Sequence, residues 1–132
     1  MAAGKYNFTI EQGATLDFEI QYTDSNNVPI DLTGYTSRMQ VKNAKKGDTT
    51  YITLTSTLAD DGTGLNMSGS SGTKPLTSGS IGIYISAYSS SLLDFNKAFY
   101  DLELVSGSTY PVVTRLIEGT VELSKEVTTV SS

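Results

Sequence analysis

Leu16-Asp17-Phe18-Glu19-Ile20-Gln21-Tyr22 alternates apolar and polar side chains without a break. Successive side chains of an extended chain point to opposite faces. This stretch therefore presents Leu16, Phe18, Ile20 and Tyr22 to one side and Asp17, Glu19 and Gln21 to the other. That is a half-buried β-strand, and the same period runs outward in both directions.

Upstream, Tyr6, Phe8 and Ile10 alternate with Asn7 and Thr9 before a Glu11-Gln12-Gly13 turn. Downstream, a turn-rich stretch at 24–29 leads to Ile30, Leu32 and the Gly34 break. Tyr35, Ser37, Met39 and Val41 then oppose Thr36, Arg38, Gln40 and Lys42. A basic hairpin tip at 43–48 precedes a strand from Tyr51 to Thr57, with Ile52 and Leu54 facing inward. Ile81, Ile83 and Ile85 alternate with Gly82 and Tyr84, and Ala98, Tyr100, Leu102 and Leu104 with Phe99, Asp101, Glu103 and Val105. After a Ser106-Gly107-Ser108 turn the chain returns from Val112 to Ile117. Gly119 permits a kink, and Val121 and Leu123 end the last strand.

Two segments depart from period two. The stretch 59–80 sets Gly62, Gly64, Gly69, Gly72 and Gly79 among Ser, Thr and Asp. It reads as a mobile glycine/serine-rich loop with a short strand at Leu65–Met67. From Ser86 to Phe95 there is one helical candidate, with Ser86 as N-cap and Leu92, Leu93 and Phe95 placed to cover an open end of the core. The expected fold is all-β, an antiparallel sandwich of about eight short strands with one short helix. Residues 1–132 form a single domain, and Leu16, Phe18, Ile20, Ile83, Leu102 and Leu104 are expected in its core.

Composition restricts the chemistry. The 132 residues include no His, no Cys and no Trp. That removes thiolate nucleophiles, disulfides, histidine-ligated metals and the Ser-His-Asp and Cys-His catalytic plans. The expectation is a non-enzymatic protein with no catalytic residues, no metal and no cofactor. A formal net charge of -5 argues against a nucleic-acid partner, because phosphate binding draws on Lys and Arg. No apolar run approaches the ~20 residues of a membrane span, and no secretory signal is visible at the start, so no membrane partner is expected. By count, 17 Ser and 18 Thr make 35 small hydroxyl residues, which suit the wet faces of pleated sheets.

Several constellations have a bland and a sharp reading. Asp60-Asp61-Gly62-Thr63-Gly64 could offer oxygens to a cation, as could Asp24, Asn26, Asn27 and Asp31, but both read first as turn chemistry. Lys42, Lys45 and Lys46 form a basic cluster that suits a soluble hairpin tip guarding a sheet edge. Glu11, Asp17, Glu19, Asp101 and Glu103 supply carboxylates for a glycosidase. They sit on expected wet faces, and that reading is set aside. Tyr6, Tyr22, Tyr35 and Tyr100 run in register with the apolar faces. Tyr51, Tyr84, Tyr88, Phe99 and Tyr110 fall off register or near loops and are the candidate interface residues. The ending Val127-Thr128-Thr129-Val130-Ser131-Ser132 looks superficially like an antibody last strand, but the Cys…Trp…Cys core of such domains is missing.

Two longer stretches carry a family resemblance. The first runs from Tyr6-Asn7-Phe8-Thr9-Ile10-Glu11-Gln12-Gly13-Ala14-Thr15 through Phe18, Ile20 and Tyr22 to Ile30-Asp31-Leu32-Thr33-Gly34-Tyr35. The second is Tyr100-Asp101-Leu102-Glu103-Leu104-Val105, then Val113-Thr114-Arg115-Leu116-Ile117-Glu118-Gly119-Thr120-Val121 and Ser124-Lys125-Glu126-Val127-Thr128. This layout resembles small β-sandwich structural proteins of tailed-phage virions, and is similar to the amino-terminal anchoring domain of siphophage upper baseplate proteins. The region 45–80 does not match closely.

The resemblance implies a virion protein made in the host cytoplasm. It would be a tail, baseplate or neck adaptor that docks fibres or spikes in multiple copies through contacts with other virion structural proteins. Relatives of this kind continue into a receptor-binding fibre. Because the chain ends at Ser132, that part is expected to be another polypeptide. Capsid decoration and host-glycan binding are the alternative expectations.

Overall fold

The computed structural model describes residues 4–44, 49–107 and 109–125. It is all-β in two facing sheets, with one short α-helix and a 3-10 turn at Leu76–Ser78 among the described residues. The larger sheet holds β1 (Gly4–Lys5), β2 (Phe8–Glu11), β4 (Tyr35–Lys42), β5 (Thr50–Thr55), β8 (Lys97–Ser106) and β9 (Val113–Ser124). The smaller holds β3 (Leu16–Gln21), β6 (Gly64–Asn66) and β7 (Ser80–Ile85). Their orders are β1-β9-β8-β4-β5, with β2 also on β9, and β3-β7-β6. The nine strand segments among the described residues occupy eight positions, because β1 and β2 are two pieces of one edge strand along β9.

All pairings are antiparallel except those of β1 and β2, which run parallel to β9. A hairpin enforces antiparallel pairing only between strands close in sequence. Nearly the whole chain separates β2 from β9, so nothing local dictates their direction. The parallel edge is a departure from the purely antiparallel sandwich expected from sequence.

The core lies between the sheets. Ile81, Ile83 and Ile85 of β7 face Ser37, Met39 and Val41 of β4 and Ala98, Tyr100, Leu102 and Leu104 of β8, all buried. Of the expected core, Ile83, Leu102 and Leu104 are fully enclosed, whereas Leu16, Phe18 and Ile20 are half-buried and pack against the core from outside. The register within β3 is as expected. Its depth is not, because β3 is an edge strand with a neighbour on one side only.

Two glycines mark places where chain crosses chain. A Cβ on Gly119 would stand 2.2 Å from the Tyr6 carbonyl oxygen, so the break between β1 and β2 rests directly on β9. Asn7 secures the same crossing by accepting from the Thr120 amide at 2.9 Å. Gly119 is needed for close approach rather than for the kink expected at that position. A Cβ on Gly82 would meet the Ser70 amide nitrogen at 2.6 Å, which brings the 68–74 loop down over the outer face of the small sheet.

That loop belongs to the glycine/serine-rich segment. Its strand is Gly64–Asn66, one residue earlier than expected, and Leu65 is fully buried. The Ser70 amide donates to Glu19 Oε1 at 2.8 Å and Lys74 pairs with Glu19 Oε2 at 2.5 Å.

The helix α1 (Ala87–Ser91) starts at the expected N-cap, where Ser86 Oγ accepts from the Ser89 amide at 3.0 Å. Leu93 and Phe95 close the core below it, while Leu92 points outward at 67% exposure. Ser90 Oγ donates to the Ala14 carbonyl at 2.7 Å, tying α1 to the β2–β3 turn.

Candidate functional site

The larger sheet presents a polar trough on its outer face, a cavity of about 410 Å³ lined by Lys5, Lys42, Phe99, Asp101, Arg115 and Glu118, among others. Alternation turns Lys42 on β4 and Phe99 and Asp101 on β8 away from the core. On β9 a bulge that leaves Leu116 as the extra residue opposite Leu102 and Glu103 brings both Arg115 and Glu118 to the same outer face. Arg115 Nε lies 3.3 Å from Asp101 Oδ2 and its Nη1 lies 3.3 Å from Glu118 Oε2. Lys5 Nζ reaches Glu118 Oε1 at 3.7 Å, and Arg38 Nε donates to Glu103 Oε1 at 2.9 Å.

Burial, and after it the neighbouring Glu103 charge, hold the Asp101 carboxyl above its ordinary range, with Arg115 opposing. On the inner face of the same strand, burial pushes the Tyr100 hydroxyl up, and that hydroxyl donates to the Tyr6 carbonyl. The trough therefore offers fixed donors and acceptors beside Phe99 and Tyr100, an arrangement suited to holding a polar ligand.

At the far end of the β8–β9 hairpin the surface turns apolar. Tyr110 is 88% exposed and Val112 64%, and Val113 pairs across the strands with Val105 on the outer face. Ser106 anchors this end, its amide donating to the Val112 carbonyl at 3.0 Å and its Oγ accepting from the Val112 amide at 2.8 Å.

The five candidate interface aromatics do not converge. Tyr51 stacks on Phe95 with ring centroids 4.6 Å apart, so it closes an end of the core. A β-bulge between Val41 and Lys42 of the partner strand makes Tyr51 the extra residue of β5. Tyr84 lines a second cavity, of about 200 Å³, on the outer face of the small sheet. Phe99 lies in the trough. Tyr88, 70% exposed on α1, and Tyr110 at the hairpin end face outward at separate places. Sequence reading missed Val112, Val113 and Leu92 as exposed apolar residues. The signals were the Tyr110-Pro111-Val112-Val113 run beside a turn and the Leu92-Leu93 doublet, of which a half-buried element can hide only one.

The loop constellations resolve into turn and cap chemistry. Ser86 Oγ and Ser89 Oγ each donate to Asp61 Oδ2 at 2.6 Å, and the Thr63 amide donates to Oδ1 at 3.1 Å. These hydroxyls hold the Asp61 carboxyl well below its ordinary range. Asp24 Oδ1 accepts from the amides of Asn26 and Val28, and Asp31 Oδ1 from the amide and hydroxyl of Thr33. Among the described residues, no group of three or more carboxylates is placed to hold a metal ion. Lys42 lines the trough, whereas Lys45, Lys46 and the 127–132 ending lie outside the described residues.

No protein-family model matches the chain, and no curated protein matches it. Among solved structures, a chain from work on the structural basis of T cell specificity and activation by the bacterial superantigen toxic shock syndrome toxin-1 aligns over 93% of this chain and 93% of its own, at 12% identity and a TM-score of 0.45. At that score the likeness carries no argument.

Proposed function

We propose that this chain is a non-enzymatic docking protein of a tailed-phage virion, a tail, baseplate or neck adaptor that joins other virion proteins through surface contacts. The observation that carries the reading is the apolar end of the β8–β9 hairpin, where Tyr110, Val112 and Val113 stand exposed together. Exposed apolar patches rimmed by polar residues mark protein contact sites. The sequence resemblance supports the same role. In purified virions of the phage encoding it, mass spectrometry is expected to find the chain. A Tyr110→Ser, Val112→Ser double variant is expected to fold normally and to be missing from virions. Virions that never contain the chain, or that take up the variant as well as the parent, would sink the reading.

The polar trough favours a second reading, a host-glycan-binding module, since Phe99 lies among carboxylates and amides that suit sugar hydroxyls. Saturable glycan binding lost in Phe99→Ala would replace the first reading with this one.

A further inference from the structure

β3 is the edge strand best built to receive another strand. It ends the order β3-β7-β6, and among the described residues β7 is its only strand partner. Its register runs unbroken from Leu16↔Ile85 to Gln21↔Ser80, and the Tyr22 amide continues it by donating to the Gly79 carbonyl at 2.8 Å. That bond makes Tyr22 and Gly79 a hydrogen-bonded pair. Period two then turns the main-chain groups of Leu16, Phe18 and Ile20 toward β7 and those of Asp17, Glu19 and Gln21 outward. The other edges are poorer templates. β5 is bulged, and a Cβ on Gly64 would stand 2.8 Å from its Thr55 carbonyl, so β6 abuts it. The β1–β2 edge is broken at Tyr6 and Asn7, and β6 has three residues. A regular row of outward donors and acceptors is what strand addition requires.

Charge selects the occupant. Pairing two copies of β3 antiparallel sets Glu19 opposite itself in one register and Asp17 opposite Glu19 in another. Like charges directly opposed across a sheet are destabilising, so a second copy is disfavoured. Lys74 and Ser70 already engage Glu19, and Ser86 and Ser89 engage Asp61. Asp17 is exposed and has no ion-pair partner among the described residues. It lines the 200 Å³ cavity together with Asp61 and Tyr84, and Tyr84 is its cross-strand partner. A cation beside Asp17 would meet one open carboxylate and one aromatic ring.

We propose that the β3 edge takes an extended segment of another protein that carries Lys or Arg at alternate positions, one of them seated beside Asp17 and Tyr84. The intervening residues face the half-buried Phe18 and are apolar. This deepens the docking reading and rests on it for the source of the segment, another virion protein.

An end-blocked heptapeptide alternating Val and Lys serves as probe, and a Val–Glu heptapeptide as control, titrated into isotope-labelled protein and followed by NMR. The Val–Lys peptide is expected to bind saturably, with amide shifts concentrated at Asp17, Glu19 and Gln21. Asp17→Lys is expected to weaken it by roughly tenfold or more, about 1.4 kcal/mol. Asp17→Asn, close to isosteric, is expected to weaken it less and covers the case in which charge reversal disturbs folding. Equal binding of the Val–Glu peptide, shifts confined to the larger sheet, or indifference to both variants would overturn the proposal. So would dimerisation in sedimentation that Asp17→Lys abolishes, since the occupant would then be a second copy. Peptide binding by a chain missing from virions would leave the edge proposal standing and remove the virion source alone.

Discussion

β8 and β3 carry the same alternating code and reach different depths. In β8, Ala98, Tyr100, Leu102 and Leu104 are buried without exception, because β4 and β9 flank the strand and the small sheet covers it. In β3, Leu16, Phe18 and Ile20 point the same way relative to the core and stay half-exposed, because only β7 lies beside them. Periodicity settles which face turns inward. The number of neighbours settles how much surface leaves water, and with it the stabilisation.

The sharpest way to break that comparison is truncation. Leu102→Ala is expected to cost about 2–5 kcal/mol, as for other enclosed leucines. Phe18→Ala, although it removes a larger side chain, is expected to cost less in the same urea titration. Equal or reversed costs would show that β3 is more deeply enclosed than its position implies.

Next come the two glycines over which chain crosses chain, one per sheet. Gly119→Ala and Gly82→Ala are each expected to cost about 1–3 kcal/mol, the range for forced overpacking. Hydrogen exchange separates them. Gly119→Ala should free Tyr6 and Thr120, and Gly82→Ala should free Ser70 and Gly72. Loss of protection at both places in either variant would show that the two crossings form one cooperative unit.

A third contrast sets Asp61, beside the small sheet, against Asp101, on the large one. The hydroxyls of Ser86 and then Ser89 hold Asp61 below its ordinary value of 3.8. Its bonds therefore stabilise the fold above that value and are lost as pH falls toward the lower folded one. Burial, and then the Glu103 charge, hold Asp101 above 3.8, so the folded state takes up its proton more readily than the unfolded chain. Asp101 destabilises at neutral pH, and that cost disappears as pH falls through the raised value. Thermal melts at neutral pH should show Asp61→Asn less stable than the parent and Asp101→Asn more stable, with both differences shrinking in acid. Ser86→Ala should cost about 1 kcal/mol through the lost cap. The smallest effect belongs to the exposed Arg38–Glu103 pair, where Arg38→Ala should cost under about 1 kcal/mol and less still in high salt.

Strand faces were legible because each residue's side is a local property of extended backbone. Ser37, Met39 and Val41 turn inward as their alternation requires, and the Ser86 cap was visible in its own few residues. The candidate site was legible only in pieces. Tyr84, Phe99 and Tyr110 lie on three separate surfaces, and Tyr51 is drawn into a stack by Phe95, 44 positions away along the chain. Asp101 and Glu103 looked like ordinary wet-face charges until Arg115 and Glu118 came to lie beside them across β9.

By itself the chain of residues determined an all-β sandwich, its strand faces and its single capped helix, because period two and capping act between near neighbours. Tertiary structure alone decided the parallel edge of β1 and β2, the half-exposure of β3, the trough on the larger sheet and the loop laid over Gly82. Each of those depends on which strand lies beside which, and that is set by contacts between residues far apart in the chain.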